Sequence, residues 1–232
     1  MNYAIIAAGE GSRLASEGVT TPKPLTPLSG VPIIERLIRI FMRNNAQSIS
    51  IIINEQQPDT LALLNRLQEE YPLNIVVKNT PSSMHSMYAL APYLKSGKFC
   101  LTTVDTIFKE SEFREYIRLF EESDCDGMMG VTEYIDDEKP LYITTDEQMQ
   151  ITGFHDTAPA DVRYISGGIY GLSSKAIETL QKCIDSGQSR MRNFQRQLIS
   201  DGLILRAFPF GKIIDIDHAT DIQKAEKIIS EE

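Results

Sequence analysis

Short apolar runs alternate with longer segments of helical periodicity through the first half of the chain. The apolar runs are too short for stable helices and predict strands at residues 3–8, 49–53, 75–77 and 99–104. The longer segments carry apolar side chains on one face and predict helices at residues 33–43, 60–71, 83–94 and 111–121. Strands and helices that alternate in this way are typical of a parallel sheet covered by helices on both faces.

The pattern changes in the second half, where strand-like runs are separated only by short turns. These runs predict strands at residues 128–134, 141–145, 149–154 and 163–172, in a small mixed or antiparallel subregion. Helices are then expected at 174–184 and 191–200, strands at 203–208 and 211–216, and a closing helix at 220–229. Because no linker interrupts the pattern, we expect one α/β domain over residues 1–232, with a Rossmann-like, mostly parallel central sheet flanked by helices.

The charge balance limits the partners that this chain can have. Among its 232 residues, 23 are Lys or Arg and 32 are Asp or Glu, for a formal net charge of −9. Surfaces that bind nucleic acid or anionic membranes carry an excess of basic residues, so we expect neither partner. An anionic ligand must instead be held by a few well-placed cations or by a metal ion.

Cysteine usage and hydropathy favour the cytoplasm. The three cysteines, Cys100, Cys125 and Cys183, show no metal-ligand spacing, and an odd number fits no closed disulfide framework. Cys100 lies in an apolar run, where a thiol packs as a small hydrophobic group. The chain opens on an apolar strand without a basic and then apolar leader, and no apolar stretch approaches the roughly 20 residues that span a membrane. We therefore expect a cytoplasmic protein.

The first predicted strand ends in the segment Ala7-Ala8-Gly9-Glu10-Gly11-Ser12-Arg13-Leu14. Glycines at a strand end permit positive φ and close approach to a ligand, and the N–H groups of such a loop can hold phosphate. A tight turn explains the two glycines equally well. Arg13 adds information, because a guanidinium can bind phosphate through two N–H groups.

A single lysine lies between two prolines in Thr21-Pro22-Lys23-Pro24-Leu25. Proline fixes its own φ and restricts the residue before it, so Lys23 lies on a stiffened loop. A solvated surface lysine needs no such rigidity, whereas a lysine that must meet a phosphate at a fixed point benefits from it.

Taken together, residues 7–14 and Pro22-Lys23-Pro24-Leu25 resemble the opening of the nucleotidyltransferase family of NDP-sugar pyrophosphorylases, which includes sugar-1-phosphate and phosphocholine nucleotidyltransferases. The resemblance continues to the C-terminus and implies a glycosyltransferase-A-like fold and a place in nucleotide-sugar biosynthesis. It assigns catalytic roles to Arg13 and Lys23, which would contact phosphate. It assigns nucleotide binding to the loop residues Ala8, Gly9 and Gly11.

Aspartates end two of the apolar runs. Asp105 follows the strand-like residues 101–104, and ligands of open α/β sheets bind beyond the carboxyl ends of strands, although an aspartate there can also cap a helix or turn. In Ile214-Asp215-Ile216-Asp217, alternation predicts both carboxylates on one side of a strand. The resemblance implies that Asp105 and Asp217 are metal ligands, with Asp215 auxiliary, and oxygen ligands suit Mg²⁺ or Mn²⁺. Asp221 is expected in the first turn of the closing helix.

Two further segments are candidates for substrate recognition. Ser82 or Ser83 is expected to cap the helix that begins there, and the resemblance assigns base contacts to Ser83 and Ser86. The segment around Gly167 and Gly168 resembles the acceptor side of the family site, where glycines make room for the acceptor; a bulged strand is the alternative.

One feature of the family is missing. Many sugar-nucleotide members carry Glu-Lys-Pro after the strand that here ends at Phe154, and this chain has His155-Asp156-Thr157-Ala158-Pro159 instead. The acceptor phosphate is then held differently, by Arg163 or Arg192, or the acceptor is not a typical hexose 1-phosphate. A small alcohol phosphate such as phosphocholine therefore stays open.

These features predict a metal-dependent nucleotidyltransferase. It would transfer a nucleoside monophosphate from a nucleoside triphosphate to a phosphorylated small molecule, a sugar 1-phosphate or a small alcohol phosphate, and release pyrophosphate. The second pKa of a phosphate monoester is about 6, so the acceptor is already ionised at neutral pH and no general base is required.

Two alternatives remain at this point. A catalytically silent regulatory protein that binds nucleotide sugars would be expected to lose one of four residues, all of which are present: Arg13, Lys23, Asp105 and Asp217. A Rossmann NAD(P)-binding oxidoreductase predicts a third glycine in the loop, which is absent. The base, the acceptor and whether the protein is a homo-oligomer stay open.

Overall fold

The computed structural model describes residues 1–135 and 139–230. Its strands are β1 (Asn2–Ala7), β2 (Pro27–Leu28), β3 (Val31–Pro32), β4 (Ser48–Ile53), β5 (Leu73–Val77), β6 (Lys98–Thr103), β7 (Thr106–Ile107), β8 (Gly127–Thr132), β9 (Tyr142–Thr145), β10 (Ile151–His155), β11 (Tyr164–Ser173), β12 (Leu205–Phe210) and β13 (Ile214–Asp215). Its helices are α1 (Ser12–Ser16), α2 (Ile33–Arg43), α3 (Pro58–Leu67), α4 (Ser83–Leu90), α5 (Glu110–Glu122), α6 (Lys175–Asp185), α7 (Met191–Ser200) and α8 (Ala219–Ser230), with short 3₁₀ turns at Lys23–Leu25 and Ala91–Tyr93.

The main sheet has a parallel half and an antiparallel half. Strands β5, β4, β1 and β6 lie side by side and are parallel. Strand β11 pairs antiparallel with β6, β8 and β9. Strand β12 then pairs parallel with β8, and β10 pairs antiparallel with β9. The predicted α/β fold with a mostly parallel central sheet and a mixed subregion is confirmed.

Strand β1 shows why the sheet is covered on both faces. Tyr3 and Ile5 point into one apolar layer and Ala4 and Ile6 into the other, as the period of two in a strand requires. In the first layer, the rings of Tyr3 and Phe41 stack with centroids 4.4 Å apart. The second layer is filled from α4, α6 and α7. With both faces buried, the carboxyl edge of the parallel strands is left for loops that contact ligands.

Several predicted boundaries differ from the structure. The helix expected at 60–71 begins at Pro58 and ends at Leu67, and the helix expected at 83–94 ends at Leu90. The strand expected at 149–154 begins at Ile151, because Met149 adopts a positive φ of 62° in a turn. The strand expected at 211–216 is reduced to β13, which pairs with the unpredicted strand β7.

The three cysteines are buried as free thiols, and burial raises the pKa of the Cys100 thiol, which fits its expected role as a small hydrophobic group. Among the described residues, no helix combines the length and the apolar character needed to cross a lipid bilayer.

Candidate active site

The loop after β1 is shaped by Gly11. This residue has φ +62° and ψ 29° immediately before α1, a left-handed conformation that glycine adopts without strain. A β-carbon at Gly11 would lie 3.1 Å from Cβ of Lys23. The second glycine of the loop therefore serves two purposes: it allows the turn, and it lets the stiff lysine segment pack against the loop. A β-carbon at Gly9, by contrast, would meet nothing within 4 Å.

Four residues from distant parts of the chain converge beside this loop. The Lys23 ammonium donates to the Asp105 carboxylate and, at 2.9 Å, to Oδ1 of Asp217. Nη1 of Arg13 donates to Oδ2 of Asp217 at 2.6 Å. The Lys23 side chain is only 11% exposed, whereas that of Arg13 is 57% exposed and free to bend towards a ligand. The structure thus brings together Arg13, Lys23, Asp105 and Asp217, as the resemblance requires.

Electrostatics keep Lys23 charged. Burial on its own lowers the pKa of Lys23, but attraction and hydrogen bonds from Asp105 and Asp217 outweigh it, so the pKa is raised. Two carboxylates this close repel each other, and the ammonium between them compensates that repulsion. The nitrogen therefore occupies the place that any shared cation would take.

The donor set fits a magnesium-type ion completed by substrate. Carboxylates that both reach one nitrogen atom can also reach one metal ion, and Mg²⁺ is commonly bound by one or two carboxylates together with waters and phosphate oxygens. Within residues 1–135 and 139–230, no three His, Cys, Asp or Glu side chains are grouped closely enough to hold a metal by themselves. A site built from Asp105 and Asp217 consequently needs further oxygen ligands from outside the protein.

Asp215 is adjacent to this centre but has a different partner. Pairing of β13 with β7 places Asp215 opposite Thr106, whose hydroxyl donates to its Oδ1 at 3.1 Å. The strand ends there, and the N–H of Asp217 turns back to the Asp215 carbonyl at 3.2 Å. The two carboxylates therefore contact different groups, and the alternation predicted for them does not extend to Asp217. Surrounding protein atoms and the negative charge of Asp105 raise the pKa of Asp215.

Two acidic side chains fix the segment that carries Asp217. Asp221 lies in the first turn of α8, as predicted, and accepts from the N–H groups of Asp217 and His218 at 3.2 and 2.8 Å. Glu17, which follows α1, accepts from the N–H of Ala219 at 2.7 Å and bonds Nδ1 of His218 at 2.6 Å. Sequence reasoning missed Glu17, because its partner lies 201 positions away and no local pattern marks it.

A cavity of about 580 Å³ opens between the glycine loop and the start of α4. Gly9, Gly11, Arg13 and Lys23 line it on one side, and Ser83 and Ser86 line it on the other. Ser82 caps α4 by accepting from the N–H of His85, so Ser82 and not Ser83 is the N-cap of this helix. The Ser86 hydroxyl already shares a 2.6 Å hydrogen bond with Thr80, and Ala8 does not line this first cavity.

A second cavity of about 300 Å³ adjoins the first, and Arg13 and Asp217 line both. Gly167 lines it at a bulge where the pairing of β11 with β8 shifts register. A β-carbon at Gly167 would lie 2.2 Å from Cδ1 of Ile213, and Gly168 has a φ of +73°. The glycines therefore form the bulge given as the alternative above, and Gly167 also borders the space that an acceptor would need.

Arg163 and Arg192 lie outside both cavities. Nη2 of Arg163 donates to Glu133 at 2.7 Å, and Nη1 of Arg192 donates to Asp156 at 2.5 Å. The basic side chains that line the second cavity are instead Arg13, His218 and Lys224. Of these, Arg13 was expected at the site, whereas His218 and Lys224 were not, because their positions depend on how α8 packs against β13.

A family model described as MobA-like NTP transferase domain matches residues 3–200 of this chain. The chain belongs to that family. The matched residues include the glycine loop, Lys23 and Asp105. The resemblance to nucleotidyltransferases that was inferred from residues 7–14 and the Lys23 segment is therefore confirmed, and the oxidoreductase alternative loses its basis.

Curated relatives share parts of the sequence with this MobA-like domain. The chain is 30% identical over 113 residues to a 2-aminoethylphosphonate cytidylyltransferase of Lancefieldella rimae, a match that covers 47% of the chain and 44% of that protein. It is 25% identical over 243 aligned positions to the bifunctional protein GlmU of Methanococcus maripaludis, which covers 99% of the chain and 56% of that protein. The chain thus spans about half the length of these relatives.

Solved structures with the same fold include two CTP-dependent enzymes. The inositol-1-phosphate CTP transferase from T. maritima superposes with a TM-score of 0.83 at 21% identity, covering 99% of this chain and 94% of that one. The CTP:phosphocholine cytidylyltransferase of Streptococcus pneumoniae gives a TM-score of 0.77 at 19% identity, covering 98% of both chains. At these identities the likeness concerns the fold, and it confirms the nucleotidyltransferase architecture expected from the sequence.

Proposed function

We propose that this protein transfers a nucleoside monophosphate from a nucleoside triphosphate to a phosphorylated small molecule and releases pyrophosphate. The observation that carries the proposal is the convergence of Arg13, Lys23, Asp105 and Asp217 where the two cavities meet. The first cavity has the volume of a small-molecule site, and the second is large enough for a compact acceptor. Family membership supports the same reaction class.

The reaction needs positioning and charge neutralisation more than proton transfer. An oxygen of the acceptor phosphate forms a bond to the α-phosphorus, and the bond from that phosphorus to the oxygen bridging the α- and β-phosphates breaks. The attacking oxygen is already ionised, because the second pKa of a phosphate monoester is about 6. Arg13 and Lys23 neutralise the departing pyrophosphate, and the N–H groups of the glycine loop hold the phosphates in line.

Asp105 and Asp217 would hold Mg²⁺ or Mn²⁺, and Asp215, which accepts from Thr106, would be an auxiliary residue beside them. Such an ion supplies charge neutralisation at the α-phosphate and the incoming oxygen. Lys23 binds both carboxylates, and it would become available for phosphate once they have another cation to bind.

CTP is the nucleotide to test first, because three of the proteins compared above carry cytidylyltransferase or CTP in their names. Those names also give three acceptors: 2-aminoethylphosphonate, inositol 1-phosphate and phosphocholine. Neither Arg163 nor Arg192 lines the second cavity, where either could have bound a sugar phosphate, and the cavity shares Arg13 with the first. This arrangement favours a small acceptor whose phosphate binds near Arg13 and Lys224.

The test is release of pyrophosphate from each of the four nucleoside triphosphates with these acceptors and a set of sugar 1-phosphates. We expect one nucleotide and one acceptor to give turnover that EDTA removes and Mg²⁺ restores. A regulatory protein would bind nucleotide sugar without releasing pyrophosphate, and that outcome would reject the enzymatic proposal. Turnover that persists in EDTA would reject the metal assignment alone.

A further inference from the structure

Two buried amide side chains donate hydrogen bonds to carbonyl oxygens of the glycine loop. Nδ2 of Asn54 donates to the carbonyl oxygens of Ala8 and Gly9 at 3.2 and 3.4 Å, and Nε2 of Gln57 donates to the same Gly9 carbonyl at 3.1 Å. Asn54 follows β4, the parallel neighbour of β1, and Gln57 precedes α3. Both side chains are largely buried, with 5% and 7% of their surface exposed.

Holding these carbonyls also orients the neighbouring N–H groups. The C=O of Ala8 and the N–H of Gly9 belong to one planar trans peptide and point in opposite directions, as do the C=O of Gly9 and the N–H of Glu10. Asn54 and Gln57 do not line the first cavity, whereas Gly9 and Glu10 do. Carbonyls held towards these two amides therefore turn the N–H groups of Gly9 and Glu10 away from the amides and towards the first cavity.

Gln57 donates to Gly9 while its own side-chain oxygen stays without a hydrogen bond. It occupies the N-cap of α3, where a side chain usually accepts from the first turn of the helix, yet it makes no such bond. Its Oε1 is buried without a hydrogen-bond partner among the described residues. A buried unpaired oxygen destabilises a fold, so an apolar residue of similar size would suit the unliganded structure better. Compared with such an apolar residue, glutamine adds the hydrogen bond to the Gly9 carbonyl.

We propose that Asn54 and Gln57 are positioning residues for nucleotide phosphate: they turn the Ala8–Gly9 and Gly9–Glu10 peptides so that their N–H groups face the triphosphate. The inference rests on the proposed function, in which the glycine loop binds phosphates. It extends that function to two residues that do not line the first cavity. Loss of either amide would let the carbonyls rotate towards the anionic phosphates, which repel them.

The test compares Gln57→Leu with Gln195→Leu. Gln195 is a matched control, because it is also buried with an unpaired Oε1 but lies in α7 and lines neither of the first two cavities. We expect Gln57→Leu to raise the KM for the nucleotide about tenfold, with a smaller change in kcat and an unchanged KM for the acceptor. The Tm of the unliganded variant should equal or exceed that of the wild type. Gln195→Leu should change neither KM.

A second probe separates this inference from the proposed function. Inorganic tripolyphosphate with Mg²⁺ carries the phosphates without a base or an acceptor, and we expect it to raise the Tm of the wild type more than that of Gln57→Leu. Gln57→Met, which keeps the length but has no N–H donor, should behave like Gln57→Leu and serves if that variant folds poorly.

The outcomes are distinct. If the wild type releases no pyrophosphate from any nucleotide, the proposed function fails, and the tripolyphosphate shifts still decide the role of Gln57. If the wild type turns over while Gln57→Leu keeps its nucleotide KM and its tripolyphosphate shift, the positioning role is rejected. A loss of nucleotide affinity in Gln195→Leu as large as that in Gln57→Leu would also reject it, because the effect would then follow from disturbing any buried glutamine.

Discussion

Nζ of Lys23 lies 2.9 Å from Oδ1 of Asp217, and this bond joins positions 194 residues apart in the sequence. The same ammonium also donates to Asp105, so one cation holds two carboxylates that would otherwise repel. A short segment stiffened by Pro22 and Pro24 carries the lysine, which fixes the nitrogen relative to both aspartates. Lys23 is therefore expected both to stabilise the fold and to bind phosphate in the proposed reaction.

Replacing Lys23 by methionine tests the cation directly. We expect turnover to fall by at least about 100-fold, because an interaction aimed at charge developing on the departing pyrophosphate is lost. The fold should persist by circular dichroism. The free energy of unfolding should fall by about 1–3 kcal/mol, because Asp105 then loses the ammonium that it binds, and Asp217 keeps, among the described residues, only Arg13 to offset their repulsion. Lys175→Met is the control, because it breaks another lysine–aspartate pair, with Asp126, outside the cleft. Wild-type turnover in Lys23→Met would contradict the catalytic role.

Asp217→Ala tests the metal assignment. We expect an intact fold and a loss of turnover of at least about 1000-fold, because a bound ion contributes several kcal/mol of charge stabilisation in the transition state. Binding of Mn²⁺ in the presence of CTP, followed by electron paramagnetic resonance, should weaken in parallel. Asp59→Ala, an exposed change in the first turn of α3, is expected to leave both measurements unchanged. Activity close to that of the wild type in Asp217→Ala would reject Asp217 as a ligand.

Gly11→Ala tests the fit between the loop and the lysine segment, and Gly18→Ala is its control. Both glycines have positive φ, +62° and +88°, so each change should destabilise the fold by about 1–2 kcal/mol from backbone strain. Only at Gly11 does the new methyl group press on the Lys23 side chain, 3.1 Å away. The nucleotide KM should therefore rise in Gly11→Ala and stay constant in Gly18→Ala, as measured by pyrophosphate release. Equal KM values in the two variants would show that the packing of Gly11 against Lys23 does not affect nucleotide binding.

Acid stability tests the packing of α6 against α7. Asp201 accepts from Lys182 at 2.9 Å, from Gln197 at 2.8 Å and from Thr179 at 2.9 Å, and these bonds hold the pKa of Asp201 below its usual value of 3.8. A lowered pKa stabilises the fold at pH values above 3.8, and that contribution is lost as the pH falls through the folded-state pKa.

Asp201→Asn should therefore be less stable than the wild type by about 1 kcal/mol at neutral pH, with the difference shrinking in acid. Urea unfolding at a series of pH values measures the difference. A gap that stays constant down to pH values well below 3.8 would show that the charge of Asp201 does not contribute.

The sequence by itself determined which faces are buried and which short segments are rigid. The continuous apolar run at residues 3–8 predicted a strand covered on both sides, and the structure confirms it, with Tyr3 and Ile5 on one face and Ala4 and Ile6 on the other. The glycine loop and the proline-flanked Lys23 could be recognised for the same reason: the conformational preferences that mark them act between adjacent residues.

The tertiary structure alone decided which loops meet. Asp215 faces Thr106 because β13 pairs with β7, Glu17 holds the start of α8, and Gln57 reaches the Gly9 carbonyl because β1 and β4 are neighbours in the sheet. Each contact joins positions far apart in the chain. Such contacts follow from the order of strands, which is set by burial summed over the whole sheet and not by any local pattern.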